Sequence, residues 1–306
     1  MPSSSLSRPD GSRIEPDSRS GKELRDGGEE SHRYGGVAWI GVYIARALVA
    51  RGADLLLVAR SGPELARLAK ELRTPENTVG FAAIDLAGPH AAEQVVAAAE
   101  TELGAVDVLV NNAAVELQRR FVDLDPEEIE RVLRVDLIAP IELTRLLLPQ
   151  MLDRGYGRIV NISSIAGRAG FPFTEAYAAS KDGLIAFGRV IRNDFRKDGV
   201  SASSVILGAV KDAGIGQRTL DETGLKGNTA FMVAPEKVAK AAVRAIRKDK
   251  AEIVVMPGPG RLMKALMDLF PGFGSTMNRV SGAERLMATV TEFREAEHMA
   301  TIGKSA

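Results

Sequence analysis

From Ile40 to Met256 the chain alternates short apolar runs with amphipathic stretches, and no other feature narrows the choice of fold as far. LLLV at 55–58 reads as a fully buried strand, and VGFAAI, DVLV, RIVNI, ASSVIL and EIVVM continue the series. Between these runs apolar residues recur at helical spacing. Ile40, Ile44 and Leu48 precede the first run, with Gly52 placed to end that helix, and Leu65, Leu68 and Leu72 mark a helix over 62–73. Further helices are predicted over 90–103, Pro126–Leu152, 175–197 and 235–248. Short strands alternating with longer helices imply parallel strands joined by crossovers, so that helices cover both faces of one sheet. The predicted class is α/β and doubly wound.

Two segments fall outside this alternation. Residues 1–34 hold five apolar residues (Met1, Leu6, Ile14, Leu24 and Tyr34), too few to offset the entropy of ordering, so a disordered tail is expected. After Pro257 the pattern stops, and RLMKALMDLF and SGAERLMATVTEFREAEHM read as a helical extension over 258–306. The domain that remains is 35–257.

Composition excludes several function classes. Forty basic residues balance forty acidic ones, so no net field recruits nucleic acid or an anionic membrane. The chain has no cysteine, and its three histidines, His32, His90 and His298, show no ligand spacing, so no metal site is expected. No run approaches the roughly 20 apolar residues of a membrane span, and the N-terminus lacks the apolar core of a signal peptide. A cytoplasmic protein is expected.

In a doubly wound sheet, ligands collect beyond the carboxyl ends of the strands, which makes the residues there the candidates. After VGFAAI come Asp85 and Leu86, after DVLV come Asn111 and Asn112, and after RIVNI come Ser163 and Ser164. Tyr177 precedes Lys181 by four positions, which puts both on one helix face. Each residue also has a plain structural reading. Tyr177 fits a helical core, Lys181 a solvated face, Ser164 a turn, and Asn111 and Asn112 a tie to neighbouring backbone. Asp85 fits a helix N-cap.

Taken together and in order, VNNAA, NISSIAG, YAASK and ILGAV resemble the short-chain dehydrogenase/reductase family, whose motifs are NNAG, a serine segment, YxxxK and PG. The resemblance covers about Ile40 to Met256 and implies a Rossmann-type fold that transfers hydride between NADP(H) and a carbonyl or secondary alcohol. It makes Tyr177 the proton donor or acceptor and Ser164, thirteen positions earlier, the group that holds the substrate oxygen. Lys181 would lower the tyrosine pKa and reach the cofactor ribose. Gly35, Ile40 and Gly41 would belong to the glycine turn, Asp85 and Leu86 to the adenine wall, and Asn111, Asn112 and Val210 to the cofactor site. Arg60, at a strand end without an acid, favours NADP over NAD, although a surface arginine before a helix is the plain alternative. The family also implies a homodimer paired through the helices over 126–152 and 175–197. Residues 211–232 and GFPF at 170–173 would meet a bulky apolar carbonyl or alcohol substrate.

The sequence departs from the family at its front end. Aligned on the glycine turn, Tyr34 stands at the threonine, Gly35 at the first glycine, Trp39 at the second and Gly41 at the third, so an indole should occupy space meant for pyrophosphate. Upstream, KELRDGGEESHR is too charged for a strand buried on both faces. Either a frame error or wrong start has replaced the first strand, or the protein has diverged from nucleotide use and keeps the fold as a non-catalytic interaction protein. Asp136 stands where the family has asparagine, and a carboxylate there is expected to pair with Lys181 and shift the proton balance. Leu207 replaces the proline of the PG motif.

Overall fold

The computed structural model describes residues 40–224 and 232–305. The expected disordered tail and the turn residues Tyr34, Gly35 and Trp39 lie outside the described residues. The chain runs α1 (Ile40–Val49), β1 (Leu55–Ala59), α2 (Gly62–Leu72), β2 (Val79–Ala83), α3 (Ala91–Leu103) and β3 (Val108–Asn111). It continues through α4 (Pro126–Leu133), α5 (Ala139–Asp153), β4 (Gly157–Ser164), the short α6 (Ala166–Ala169), α7 (Glu175–Phe195) and β5 (Val200–Leu207). The last elements are α8 (Gly214–Thr223), α9 (Pro235–Lys248), β6 (Glu252–Val255), α10 (Gly260–Leu269), α11 (Pro271–Val280) and α12 (Ala283–Ser305).

All strand pairs are parallel, as the alternation requires. β3, β4, β5 and β6 form one sheet in that order, and β1 pairs with β2 in a second. β4 and β5 match residue for residue from Gly157 opposite Val200 to Ser164 opposite Leu207, which brings Ser164 to the carboxyl edge. Successive side chains on these strands point to opposite faces. Ile162, Val205 and Leu207 pack with Ile44 of α1 and Val238 and Ala242 of α9, whereas Ile159 and Ala202 pack with Leu147 and Met151 of α5. Every residue of β5 is buried, and each large apolar side chain so placed stabilises the fold by roughly 1.5–3 kcal/mol.

The reading of β1 needs correction. LLLV was expected to be buried on both faces, yet all five residues of β1 are only partly buried. The reason is topological: among the described residues no strand lies between β1 and β3, and both border a cavity of about 2320 Å³.

The helix predicted over Pro126–Leu152 is interrupted. Residues Arg134–Ile138 make a π turn between α4 and α5, and the Ala139 N–H bonds to the Arg134 carbonyl, five residues back. Pro140 accounts for this. It has no N–H to give to the Asp136 carbonyl and its ring crowds that position, so the chain widens by one residue. The widened turn carries Asp136 inward, where it is fully buried.

In the C-terminal part, Met267 of α10 joins a core with Ile165, Ile185 and Ile206. α11 sits directly on α6: a Cβ added to Gly274 would fall 2.6 Å from the Ala169 carbonyl oxygen, and Asn278 Nδ2 donates to that oxygen at 2.9 Å. Among the described residues no helix is long and apolar enough to cross a membrane, and no group of acidic or histidine side chains is placed to hold a metal ion.

Candidate active site

The carboxyl ends of β3, β4 and β5, the start of α7 and the start of α1 meet around the upper part of the cavity. Ser164, the last residue of β4, receives the Ala166 N–H on its Oγ at 3.1 Å and lies close enough to the Tyr177 phenol to act on it. Ser163 faces away and donates to the Lys181 carbonyl at 2.7 Å. Lys181 is buried one turn beyond Tyr177, with its Nζ 5.5 Å from the centre of the tyrosine ring. Its closest partner is Asp136 Oδ2 at 3.2 Å, with the Ile162 carbonyl at 3.4 Å. Asp136 Oδ1 also accepts the Val115 N–H at 2.7 Å. Ser164, Tyr177, Lys181 and Asp136, widely spaced in sequence, therefore form one connected polar group.

The electrostatics of this group differ from the expectation that Lys181 lowers the tyrosine pKa. Burial pushes the Tyr177 phenol above the ordinary tyrosine range, and the Glu116 and Asp136 carboxylates push it further, against the lowering effect of Ser164. Among these causes Asp136 also bears on Lys181 directly. Its carboxylate takes up the ammonium that would otherwise act on the phenol, and adds an anion of its own. Burial also raises Asp136 above the usual carboxylate range, while Lys181 and the Val115 N–H oppose that rise.

The remaining candidates spread along the cavity wall. Ile40 and Gly41 open α1 there, and a Cβ on Gly41 would come within 3.0 Å of Asn112 Nδ2, so only glycine fits without displacing Asn112. Asn111 is buried and donates to Asn161 Oδ1 at 2.8 Å, the structural tie between β3 and β4. Arg60 is exposed just past β1. Leu86 lines the cavity, and so does Asp85, which receives Arg131 at 2.7 Å and the Ala87 N–H at 3.1 Å. The Asp85 carboxylate is thereby committed to a turn and an ion pair. Val210 is buried and bridges to Val233. Phe171 of GFPF and Met232 line the same cavity, while residues 225–231 of the expected substrate loop lie outside the described residues.

Sequence reasoning missed a second polar group. Glu116, five residues past Asn111 in the loop after β3, lines the cavity near Tyr177, and Gln118, Thr219 of α8 and Arg294 of α12 stand behind it. The position of Glu116 beyond a strand end was a usable signal. The link to Arg294 was not, because nothing local ties a residue of α12 to that loop.

Comparison with known proteins adds four findings. A family model described as short chain dehydrogenase matches residues 34–223. Ketoacyl reductase HetN of Nostoc sp. (strain PCC 7120) is 36% identical over 220 residues, covering 72% of this chain and 76% of that protein. Dehydrogenase/reductase SDR family member 7B of Bos taurus is 33% identical over 260 residues, covering 78% and 76%. A solved metagenomic short-chain oxidoreductase in complex with NADP superposes with a TM-score of 0.60 at 28% identity, over 73% of this chain and 95% of that one.

Proposed function

The chain belongs to the short-chain dehydrogenase family, and from that premise we propose that it interconverts a carbonyl compound and a secondary alcohol, with NADP(H) preferred over NAD(H). The observation that carries this reading is that Ser164, Tyr177 and Lys181 share the wall of one large cavity, with the Lys181 Nζ 5.5 Å from the centre of the Tyr177 ring. The described residues fit a dinucleotide. Gly41 and Ile40 open α1 on the cavity wall, where the free backbone N–H groups of a helix start suit a phosphate, and the exposed Arg60 guanidinium suits a 2'-phosphate. Asn112 and Val210 would flank the cofactor further in, and Lys181 would reach its ribose. When bound, NADP(H) supplies or accepts the hydride.

The chain's own residues handle the proton. In the reducing direction the Ser164 hydroxyl holds the carbonyl oxygen, and Tyr177 gives its phenolic proton to that oxygen as negative charge develops. Lys181 faces the phenolate left behind, which regains its proton from solvent. A phenol held protonated near neutrality suits this direction. The apolar side chains Phe171, Met232 and Leu286 on the cavity wall support an apolar carbonyl substrate, and the ketoacyl reductase among the relatives makes ketoacyl compounds the first to try. The assembly we propose is a homodimer paired through α5 and α7, where Val190 is 56% exposed, working in the cytoplasm. A dimeric mass in light scattering is expected.

The test is a carbonyl panel with NADPH. Turnover that Tyr177→Phe abolishes, with NADPH bound at micromolar concentration, is the expected result. No NADPH binding at millimolar concentration would overturn the proposal and favour a non-catalytic Rossmann-like interaction protein, a reading consistent with the gap beside β1 and with Asp136 holding Lys181.

A further inference from the structure

Between Ser164 and Tyr177 the chain makes the short α6 and then a turn over 170–174, and α11 packs on both. Asn278 of α11 is buried, and its Nδ2 donates to two successive carbonyls, Ala169 at 2.9 Å and Gly170 at 3.2 Å. These carbonyls close α6, whose last C=O groups have no partner within so short a helix. Gly274, one turn earlier on α11, lies so near the Ala169 carbonyl that a larger residue would displace it. Phe273 of α11 and Phe171 of the turn pack on one core with Ile165, Ala169 and Ile185. The turn itself is strained. Phe173 has a φ of 63°, a left-handed backbone that favours glycine, and Thr174 Oγ1 closes the turn by donating to the Phe171 carbonyl at 2.9 Å. Phe171, not Phe173, lines the cavity beside Ser164 and Tyr177.

We propose that Asn278 is a positioning residue for substrate binding: by tying Ala169 and Gly170 to α11 it holds the strained turn in the conformation that keeps Phe171 on the cavity wall, against the apolar part of a carbonyl substrate. The inference rests on the oxidoreductase reading and adds to it a residue beyond the span matched by the family model, which ends at residue 223. The strain gives the tie its purpose. A phenylalanine released from a left-handed backbone relaxes to negative φ, and the backbone from Phe171 to Thr174 turns with it. Two hydrogen bonds from one buried amide oppose that relaxation, and burial keeps water from competing for them. Asn278 acts away from the proton transfer, because Ser164 and Lys181 are held by bonds of their own, to the Ala166 N–H and to Asp136. Loss of the tie therefore weakens substrate binding and leaves the chemical step and the cofactor end of the cavity in place.

Steady-state kinetics on the full chain test this, with NADPH and the ketoacyl compound of the panel that turns over fastest. In Asn278→Ala the KM for the ketoacyl compound should rise about tenfold, while kcat and the NADPH dissociation constant change by less than about twofold. Adding Phe173→Gly to that variant removes the strain and should bring KM most of the way back, which a general loss of packing would not allow. An unchanged KM, a comparable loss of kcat or NADPH affinity, or no recovery on adding Phe173→Gly overturns the proposal. Amide hydrogen exchange reads the turn without turnover. Peptides spanning 170–176 should exchange faster in Asn278→Ala, and those of β4 and β5 at the native rate. Acceleration everywhere, or nowhere, overturns the proposal as well. Where Asn278→Ala fails to fold, Gly274→Ala, whose Cβ pushes α11 away from Ala169, carries the same expectations. Absence of turnover in the native protein with every carbonyl compound defeats the oxidoreductase reading instead, and the exchange measurement tells that failure apart from this one.

Discussion

Asp136 shows how one atom's difference redirects a site. An amide at this position would leave Lys181 to act on Tyr177. The carboxylate binds the ammonium at 3.2 Å and raises the phenol as well. Asp136→Asn should therefore increase kcat/KM for alcohol oxidation at mildly alkaline pH about tenfold, by lowering the phenol about one unit. The same change leaves a buried lysine without its counter-ion and should cost about 3 kcal/mol of stability, read as a lower Tm. A faster but less stable variant is expected, and faster turnover with unchanged Tm would show that the ion pair contributes no net stability. Glu116 allows a prediction with a definite sign. Its carboxyl is raised in the folded state to about 7, above the unfolded value near 4.3. The stability it contributes is therefore fully present below the unfolded pKa and is lost as pH rises through about 7. The native Tm should fall between pH 5 and pH 8 more steeply than that of Glu116→Gln, and parallel curves would refute this.

At the scale of elements, the strands and most helices were legible because burial imposes a period, and the periods of strand and helix differ. The π turn was not recognised, although its cause, Pro140, stands in the sequence. Periodicity counts apolar positions, and a one-residue widening leaves Val132, Val135 and Ala139 buried at nearly helical spacing. The site divides along the same line. Ser164, Tyr177 and Lys181 were legible because each sits at a fixed place relative to a strand end or helix start. The group of Glu116, Gln118, Thr219 and Arg294 depends on where α12 comes to rest, which no local pattern encodes. A test of the π turn follows from its cause. Pro140→Ala restores an N–H four residues after Asp136, so the helix can close to regular α geometry and rotate Asp136 away from Lys181. Activity should change and Tm should fall, because Lys181 then loses its counter-ion as in Asp136→Asn, offset in part by the better helix propensity of alanine. Unchanged pH dependence in Pro140→Ala would mean that packing of α4 and α7, and not the proline, holds the turn.

At the scale of the whole molecule, the sheet is divided among the described residues. β1 and β3 each show one edge to the cavity, so a row of backbone N–H and C=O groups on both is left without a sheet partner among the described residues. The cavity, about 2320 Å³, exceeds the roughly 300–1,000 Å³ of a small-molecule pocket, because it continues from Ser164, Tyr177 and Lys181 down between the two sheets. Its lower walls are Leu55, Leu57, Val108 and Val110, apolar on both sides. A strand that fills this space must be apolar on both faces, must run parallel to its neighbours, and must end where α1 begins, at Ile40. The charged residues 22–33 do not meet the first condition. Replacing them and the turn through Trp39 with an apolar strand of about six residues and a glycine-rich turn joined to Ile40 should pair both edges at once. The gain, several buried apolar side chains at roughly 1.5–3 kcal/mol each less the entropy of ordering the new strand, should raise Tm by several degrees. NADPH affinity should rise with it, since a glycine then stands where the sequence has Trp39. A higher Tm without tighter NADPH binding would separate closure of the sheet from repair of the turn. An unchanged Tm would mean that the gap between β1 and β3 is already closed in solution.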